Sequence, residues 1–171
     1  IFTNLYNNGF RKFCIIVGSK TKSSILHHMS VDESFISLLK KRNSFHDKRF
    51  IKTLSDLYKK IENCEIHWIK QPTPMGFGHA LLSAKKFVDE DFLLHAGDTY
   101  FPNYDFIPQL IKLSKKTQKS SCCLLLQSKK DLKGYGIAEI QKKNNTNIVF
   151  NVEEKPKLPK SNLAILPVYT F

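Results

Sequence analysis

FLLHAGDTYF, residues 92–101, begins as a buried strand should and then runs into an acid. Phe92, Leu93 and Leu94 form the apolar run, Ala96 and Gly97 shrink the side chains, and Asp98 follows directly. In an open α/β sheet the carboxyl ends of the strands are where ligands bind, because the loops there stand clear of the packed helices. A carboxylate mounted there would suit a hard cation such as Mg2+, which takes oxygen ligands from the protein, water and substrate phosphates. Taken alone, Asp98 reads equally well as a turn or N-cap aspartate.

The surrounding chain supplies the other strands and helices of such a fold. FCIIVG (13–18) reads as a buried strand, preceded by a helix that stops near Asn8-Gly9. Ser30-Val-Asp-Glu33 has the form of a capping box opening a helix through about Arg42. A longer helix is expected from about Asp47 to Glu62, with Phe50, Leu54, Leu57, Tyr58 and Ile61 on one buried stripe. EIHWI (65–69) is the next strand, followed by a loop that becomes a helix near Gly78. FLLHAG is a third strand, DFIPQLIKLSKK a surface helix and CCLLLQ (122–127) a fourth strand. GIAEI and NIVFNVEEK read as shorter strands around a polar turn at Asn144-Asn145. Strands alternating with helices predict a Rossmann-like α/β fold, its sheet mostly parallel with helices on both faces.

Composition narrows the class. A chain of 171 residues favours one domain, and 42% hydrophobic with 25% charged residues is ordinary for a globular protein. The longest apolar runs are about half a dozen residues, against the ~20 needed to cross a bilayer, so no membrane role and a cytoplasmic location are expected. Cys14, Cys64, Cys122 and Cys123 show no CxxC spacing and read as reduced core thiols. The net charge of +12 permits a polyanion partner, yet the 27 Lys and Arg are spread along the chain and read as a solvated surface. A nucleic-acid-binding domain would interleave them with exposed aromatics. Phe50 and Tyr58 fall on buried stripes, so no nucleic acid is expected. His27-His28 and His95 suggest no metal site, since adjacent imidazoles fall on different sides of a helix and no third ligand is near in sequence.

Two further stretches can carry chemistry. In QPTPMGFGHA (71–80) the prolines stiffen a strand exit, while Gly76 and Gly78 clear side chains from where a flat group would approach the main chain. Gln71 offers donors and acceptors on one amide, which suits the edge of a pyrimidine, and the helix starting here directs free amides outward in a way that favours anions. The plain alternative is a tight turn. In VEEKPK (152–157), Glu154 can accept from sugar hydroxyls and Lys155 can hold a phosphate, with Pro156 turning the chain out of the sheet. As neighbours on a strand these two point different ways unless the backbone bends. The alternative is a solvated charged loop.

Taken together, Q-x4-GxGHA, a strand ending in GD, GYG, VEEKPK and SNLAI resemble, in order and spacing, the sugar-1-phosphate nucleotidylyltransferases. The likeness covers essentially the whole chain, and the branch it most resembles is the UTP:glucose-1-phosphate uridylyltransferases, which carry the histidine of GxGHA and two charged helices before the Gln71 strand. The resemblance implies that Gln71 and Gly76 contact uracil while Gly78 and His79 shape that loop. It implies that Asp98 holds Mg2+ as the cofactor, Gly136 lets glucose approach the backbone, Glu154 binds sugar hydroxyls and Lys155 holds the sugar phosphate. Asp98 and Lys155 would then be the catalytic residues. SNLAI, with Ser161 as a helix N-cap, would close the sugar pocket.

The expected substrates are UTP and glucose 1-phosphate, with dTTP or another sugar phosphate as the alternative, and the family implies a homo-oligomer. Members begin with a glycine-rich loop carrying an arginine and a lysine, and supply a second metal ligand from a distal aspartate. Neither is in these 171 residues. The expectation is therefore a partial nucleotidyltransferase domain over residues 1–171, incomplete at both ends and inactive by itself. A nucleotidyltransferase-like subunit without catalysis is the rival.

Overall fold

The computed structural model describes residues 1–19, 21–126, 132 and 134–171. The chain divides into two compact units, Ile1–Glu90 and Asp91–Phe171.

The first unit opens with helix α1 (Phe2–Asn7), which ends at Asn8 as the Asn-Gly signal predicts, with Gly9 at a φ of +96°. Strand β1 (Lys12–Gly18) and strand β2 (Glu65–Gln71) pair in parallel, from Lys12 opposite Glu65 to Gly18 opposite Gln71. A parallel pair needs a long crossover, and here it contains α2 (Lys22–Met29), α3 (Glu33–Arg42) and α4 (Phe45–Glu62). Val17, Leu39 and Ile69 are buried in this unit. Beyond β2 come α5 (Phe77–Ser83) and a single 3₁₀ turn at Lys85–Phe87.

The caps of the crossover helices differ from the expected box. Asp32, not Ser30, caps α3, its carboxylate accepting from the Phe35 amide at 2.9 Å and from the Ser34 hydroxyl at 2.6 Å. A carboxylate there also faces the positive end of the helix dipole, which a serine hydroxyl cannot match. Ser30 instead terminates α2, donating to the His27 carbonyl. The reciprocal box sits one helix later: the Asp47 amide donates to the Ser44 hydroxyl at 3.1 Å, and that hydroxyl donates to the Asp47 carboxylate at 2.6 Å. The bond from the serine hydroxyl, with the Arg42 charge beside it, holds the Asp47 carboxyl below the ordinary carboxylate range against the opposing effect of burial.

Two burial expectations are corrected. Phe50 is 46% exposed, with its ring 6.2 Å from that of Phe35, because it lies beyond the half-buried stripe of Leu54, Leu57, Tyr58 and Ile61. Cys14 is exposed rather than in the core, since alternate residues of a strand share a face and it lies on that of Lys12.

The second unit is built around strand β7 (Leu163–Thr170). Strand β3 (Leu93–His95) pairs with its Val168–Thr170 end, and β4 (Ser121–Leu126) runs along its length. Strand β5 (Gly136–Lys143) meets it at Ala164 and forms a hairpin with β6 (Thr146–Glu154). All four pairings are antiparallel, so parallel pairing among the described residues is confined to β1 and β2. The hairpin turns at Asn144 and Asn145 with φ of +48° and +57°, as expected; such paired left-handed residues form the turn whose twist suits a hairpin. Helix α6 (Phe106–Thr117) contributes the buried Ile107 and Leu110, and Ala138, Ala164 and Val168 are fully buried in the sheet. Gln127, the end of the expected fourth strand, lies outside the described residues. Ser161 caps no helix: it donates to the Ala138 carbonyl and accepts from the Leu163 amide, which starts β7 instead. The described helices include none long and apolar enough to cross a membrane.

Candidate active site

In the first unit the structure brings Gln71 within hydrogen-bond distance of both Gly76 and His79. Gln71 is the last residue of β2, directly opposite Gly18. Its Nε2 lies 3.4 Å from the Gly76 carbonyl and 3.0 Å from His79 Nδ1. Gly76 sits just before α5 with φ +92° and ψ 175°, a region populated essentially by glycine alone. Its carbonyl also accepts from the Ala80 amide at 3.1 Å, so the turn is tied to both strand and helix. Gly78 lies in the first turn of α5, and a Cβ there would meet nothing within 4 Å. Residues 72–78 are exposed while Gln71 and His79 are half-buried.

In the second unit Asp98 stands three residues beyond the short strand β3, in an exposed turn. One of its oxygens accepts from the Thr99 hydroxyl at 3.3 Å. The described residues include no group of three or more metal-ligating side chains, so Asp98 here would be one protein ligand to an ion that draws the rest from phosphates and water. An exposed carboxylate with a second oxygen to give fits that part.

The brace behind Asp98 is His95, which sequence reading weighed only as a metal ligand and set aside. His95 stacks on Tyr104 at 5.6 Å and 11°, meets Phe101 edge-on at 5.5 Å, and its Nδ1 donates to the Ala96 carbonyl at 2.7 Å. It thus touches both ends of the loop that carries Asp98. Burial pushes its pKa below the ordinary 6.5, and the carbonyl only partly opposes that. The signal available in sequence was a histidine inside an apolar strand followed by three aromatics, Tyr100, Phe101 and Tyr104.

Gly136, Glu154 and Lys155 meet at the open end of the β5–β6 hairpin. Gly136 pairs with Glu154, and a Cβ on Gly136 would lie 3.1 Å from Glu154 Oε2 and 3.7 Å from Ile165 Cδ1. The space over this glycine therefore holds a carboxylate, which any sugar reaching the Gly136 backbone would meet first. Lys155 has a φ of +47°, uncommon for a residue with a side chain. Its amide donates to the Tyr135 carbonyl at 3.1 Å. That left-handed bend lets the neighbouring side chains converge, with Lys155 Nζ 3.5 Å from Glu154 Oε1, although both remain largely exposed.

The described residues thus carry a strand-exit loop tied to a glutamine amide, an exposed carboxylate beyond β3 and a lysine–glutamate corner. The chain belongs to the nucleotidyl transferase family, whose profile matches residues 1–171. It is 33% identical over 63% of its length to the glucose-1-phosphate thymidylyltransferase of Streptomyces antibioticus, covering 29% of that protein. It is 30% identical over 95% of its length to the UTP–glucose-1-phosphate uridylyltransferase of Mycoplasma pneumoniae, covering 56% of it. In structure it is similar to a UTP-bound UGPase from Acinetobacter baumannii, with TM-score 0.77 at 20% identity, over 99% of this chain and 60% of that one. That likeness establishes the fold, and the α/β expectation stands.

Proposed function

We propose that the complete protein carrying this chain transfers UMP from UTP to glucose 1-phosphate, yielding UDP-glucose and pyrophosphate. The observation that carries the reading is the extent of likeness: it runs over 95% of the chain for a relative named for UTP, against 63% for one named for the thymidylyl reaction. The Gln71 loop is consistent with it, since an amide beside an open glycine can read a pyrimidine edge.

The chemistry needs no general base. A sugar phosphate is largely a dianion near neutral pH, its second pKa being about 6, so its oxygen can attack the α-phosphorus directly. The bond from that phosphorus to the bridging oxygen breaks, and pyrophosphate leaves with the electron pair. Lys155 would hold the attacking phosphate and Glu154 the sugar hydroxyls, so these residues act by alignment and charge neutralisation. Asp98 would hold Mg2+, which supplies charge neutralisation at the phosphates.

The test is pyrophosphate release by the complete protein given UTP, glucose 1-phosphate and Mg2+, with dTTP in parallel. Release favouring UTP is expected, and Asp98→Asn should keep the fold while losing about a hundredfold or more in turnover. Preference for dTTP would move the protein to the thymidylyl branch. No release from a folded protein with either nucleotide would leave the non-catalytic rival standing.

A further inference from the structure

We infer that His79 is the specificity-determining partner of Gln71: it fixes the direction of the Gln71 amide so that the site offers a nucleobase an acceptor at that point, and thereby selects uracil over cytosine. The inference rests on the proposed use of this loop for the base of a pyrimidine nucleotide.

The argument is one of hydrogen-bond roles. A peptide carbonyl can only accept, so the Gln71 atom 3.4 Å from the Gly76 oxygen must be the amide nitrogen. The same nitrogen lies 3.0 Å from His79 Nδ1 and cannot accept there. His79 Nδ1 must therefore be the unprotonated ring nitrogen, with the ring hydrogen on Nε2. Both hydrogens of the Gln71 amide are then committed, one to Gly76 and one to His79. Its Oε1 accepts from none of the described residues, and the Gly76 amide likewise donates to none of them. What the loop presents is an acceptor beside a donor.

Uracil shows N3–H flanked by carbonyl oxygens, which matches that pair. Cytosine in the same pose shows a bare N3 and an exocyclic amino group, which reverses both partners. A glutamine free to turn over could donate to that N3 and admit cytosine. His79 removes this freedom, because reversing the amide would set oxygen against the Gly76 carbonyl and against a ring nitrogen lone pair. Thymine shares the edge of uracil, so the device does not separate UTP from dTTP.

The test compares kcat/KM for UTP and CTP in the complete protein and two variants. His79→Phe keeps a ring but no acceptor, and is expected to lower the UTP:CTP ratio at least tenfold. His79→Asn places an amide oxygen where Nδ1 stood and is expected to keep the ratio within about threefold of the parent. A merely structural histidine would lower both rates together, and an unchanged ratio in His79→Phe overturns the inference while leaving the uridylyl reading intact. No turnover of UTP by the parent protein would instead sink that reading, and this one with it. Independently of any variant, the ¹⁵N shift of His79 Nδ1 in the parent should be that of an unprotonated ring nitrogen. A protonated Nδ1 refutes the assignment.

Discussion

The candidate region of the first unit and that of the second are built on opposite plans. Around Gln71 the donors are spent internally: one side chain is tied to the Gly76 carbonyl and to His79, on a turn that is itself tied to α5. Around Lys155 the charged groups are held by a bent backbone and by each other, with both side chains more than three-fifths exposed. Such exposed pairs contribute about 0–1 kcal/mol. The difference is between a region tied in advance by its own hydrogen bonds and one whose charged groups stay open to solvent. The glycines show it too: Gly76 has open space but a backbone only glycine tolerates, while Gly136 has an ordinary backbone and a crowded side.

The largest break in that comparison should come from Lys155→Ala. If this ammonium neutralises the reacting phosphate, its loss should lower kcat by about a hundredfold or more, near 3 kcal/mol in the barrier, with little change in thermal midpoint. A fall in stability with normal turnover in the surviving fraction would make Lys155 a structural bend and nothing more.

Gly76→Ala should come next, by a different route. A Cβ there meets nothing within 4 Å, so no clash occurs, yet φ of +92° with ψ of 175° costs a side chain of order 1–3 kcal/mol. The loop can relieve that strain by abandoning the turn, which would separate Gln71 from the Gly76 carbonyl and raise KM for UTP. Denaturant unfolding together with UTP kinetics checks both parts. Gly78→Ala is the control, having the same open space without the positive φ.

Acid should loosen the Asp98 loop. His95 has its folded pKa below 6.5, so the unfolded chain binds the proton first. Its contribution is fully present above about pH 6.5 and is lost as the pH falls through the folded value. The thermal midpoint should therefore decline on acidification in the parent protein, and less so in His95→Phe. Equal slopes would remove the histidine from the brace.

How much of this was legible in the sequence depends on the range of the forces involved. The strands around Val17, Ile69 and Leu94, the end of α1 at Asn8 and the Asn144-Asn145 turn are local, set by apolar runs and by residues that accept left-handed backbone. The direction of pairing was not local. A central β7 running against β3, β4 and β5 joins residues far apart in the chain, and alternation of strands with helices does not reveal it. Ser30 and Ser161 failed as caps for one reason: a hydroxyl followed by a plausible pattern is common, and only the geometry decides which nearby carbonyl or amide it meets. Gln71 and Gly76 could be proposed from the residues of their loop and His79 from the family resemblance, but their hydrogen-bond roles required coordinates. The bend at Lys155 that turns two divergent neighbours into a pair left no mark in sequence except the proline that follows.

The smallest effect sharpens the comparison most. Gly136→Ala places a Cβ 3.1 Å from Glu154 Oε2, tighter than most real contacts, but the obstructing atom is the far end of an exposed, flexible carboxylate. It can swing away by rotating its own side chain, so stability should change by no more than about 0.5 kcal/mol. What moves is the partner of Lys155, and with it the group assigned to the sugar hydroxyls. KM for glucose 1-phosphate should rise while KM for UTP stays level, the reverse of Gly76→Ala. If both glycines raised the same KM, assigning the Gln71 turn to the base and the Lys155 corner to the sugar would have no basis.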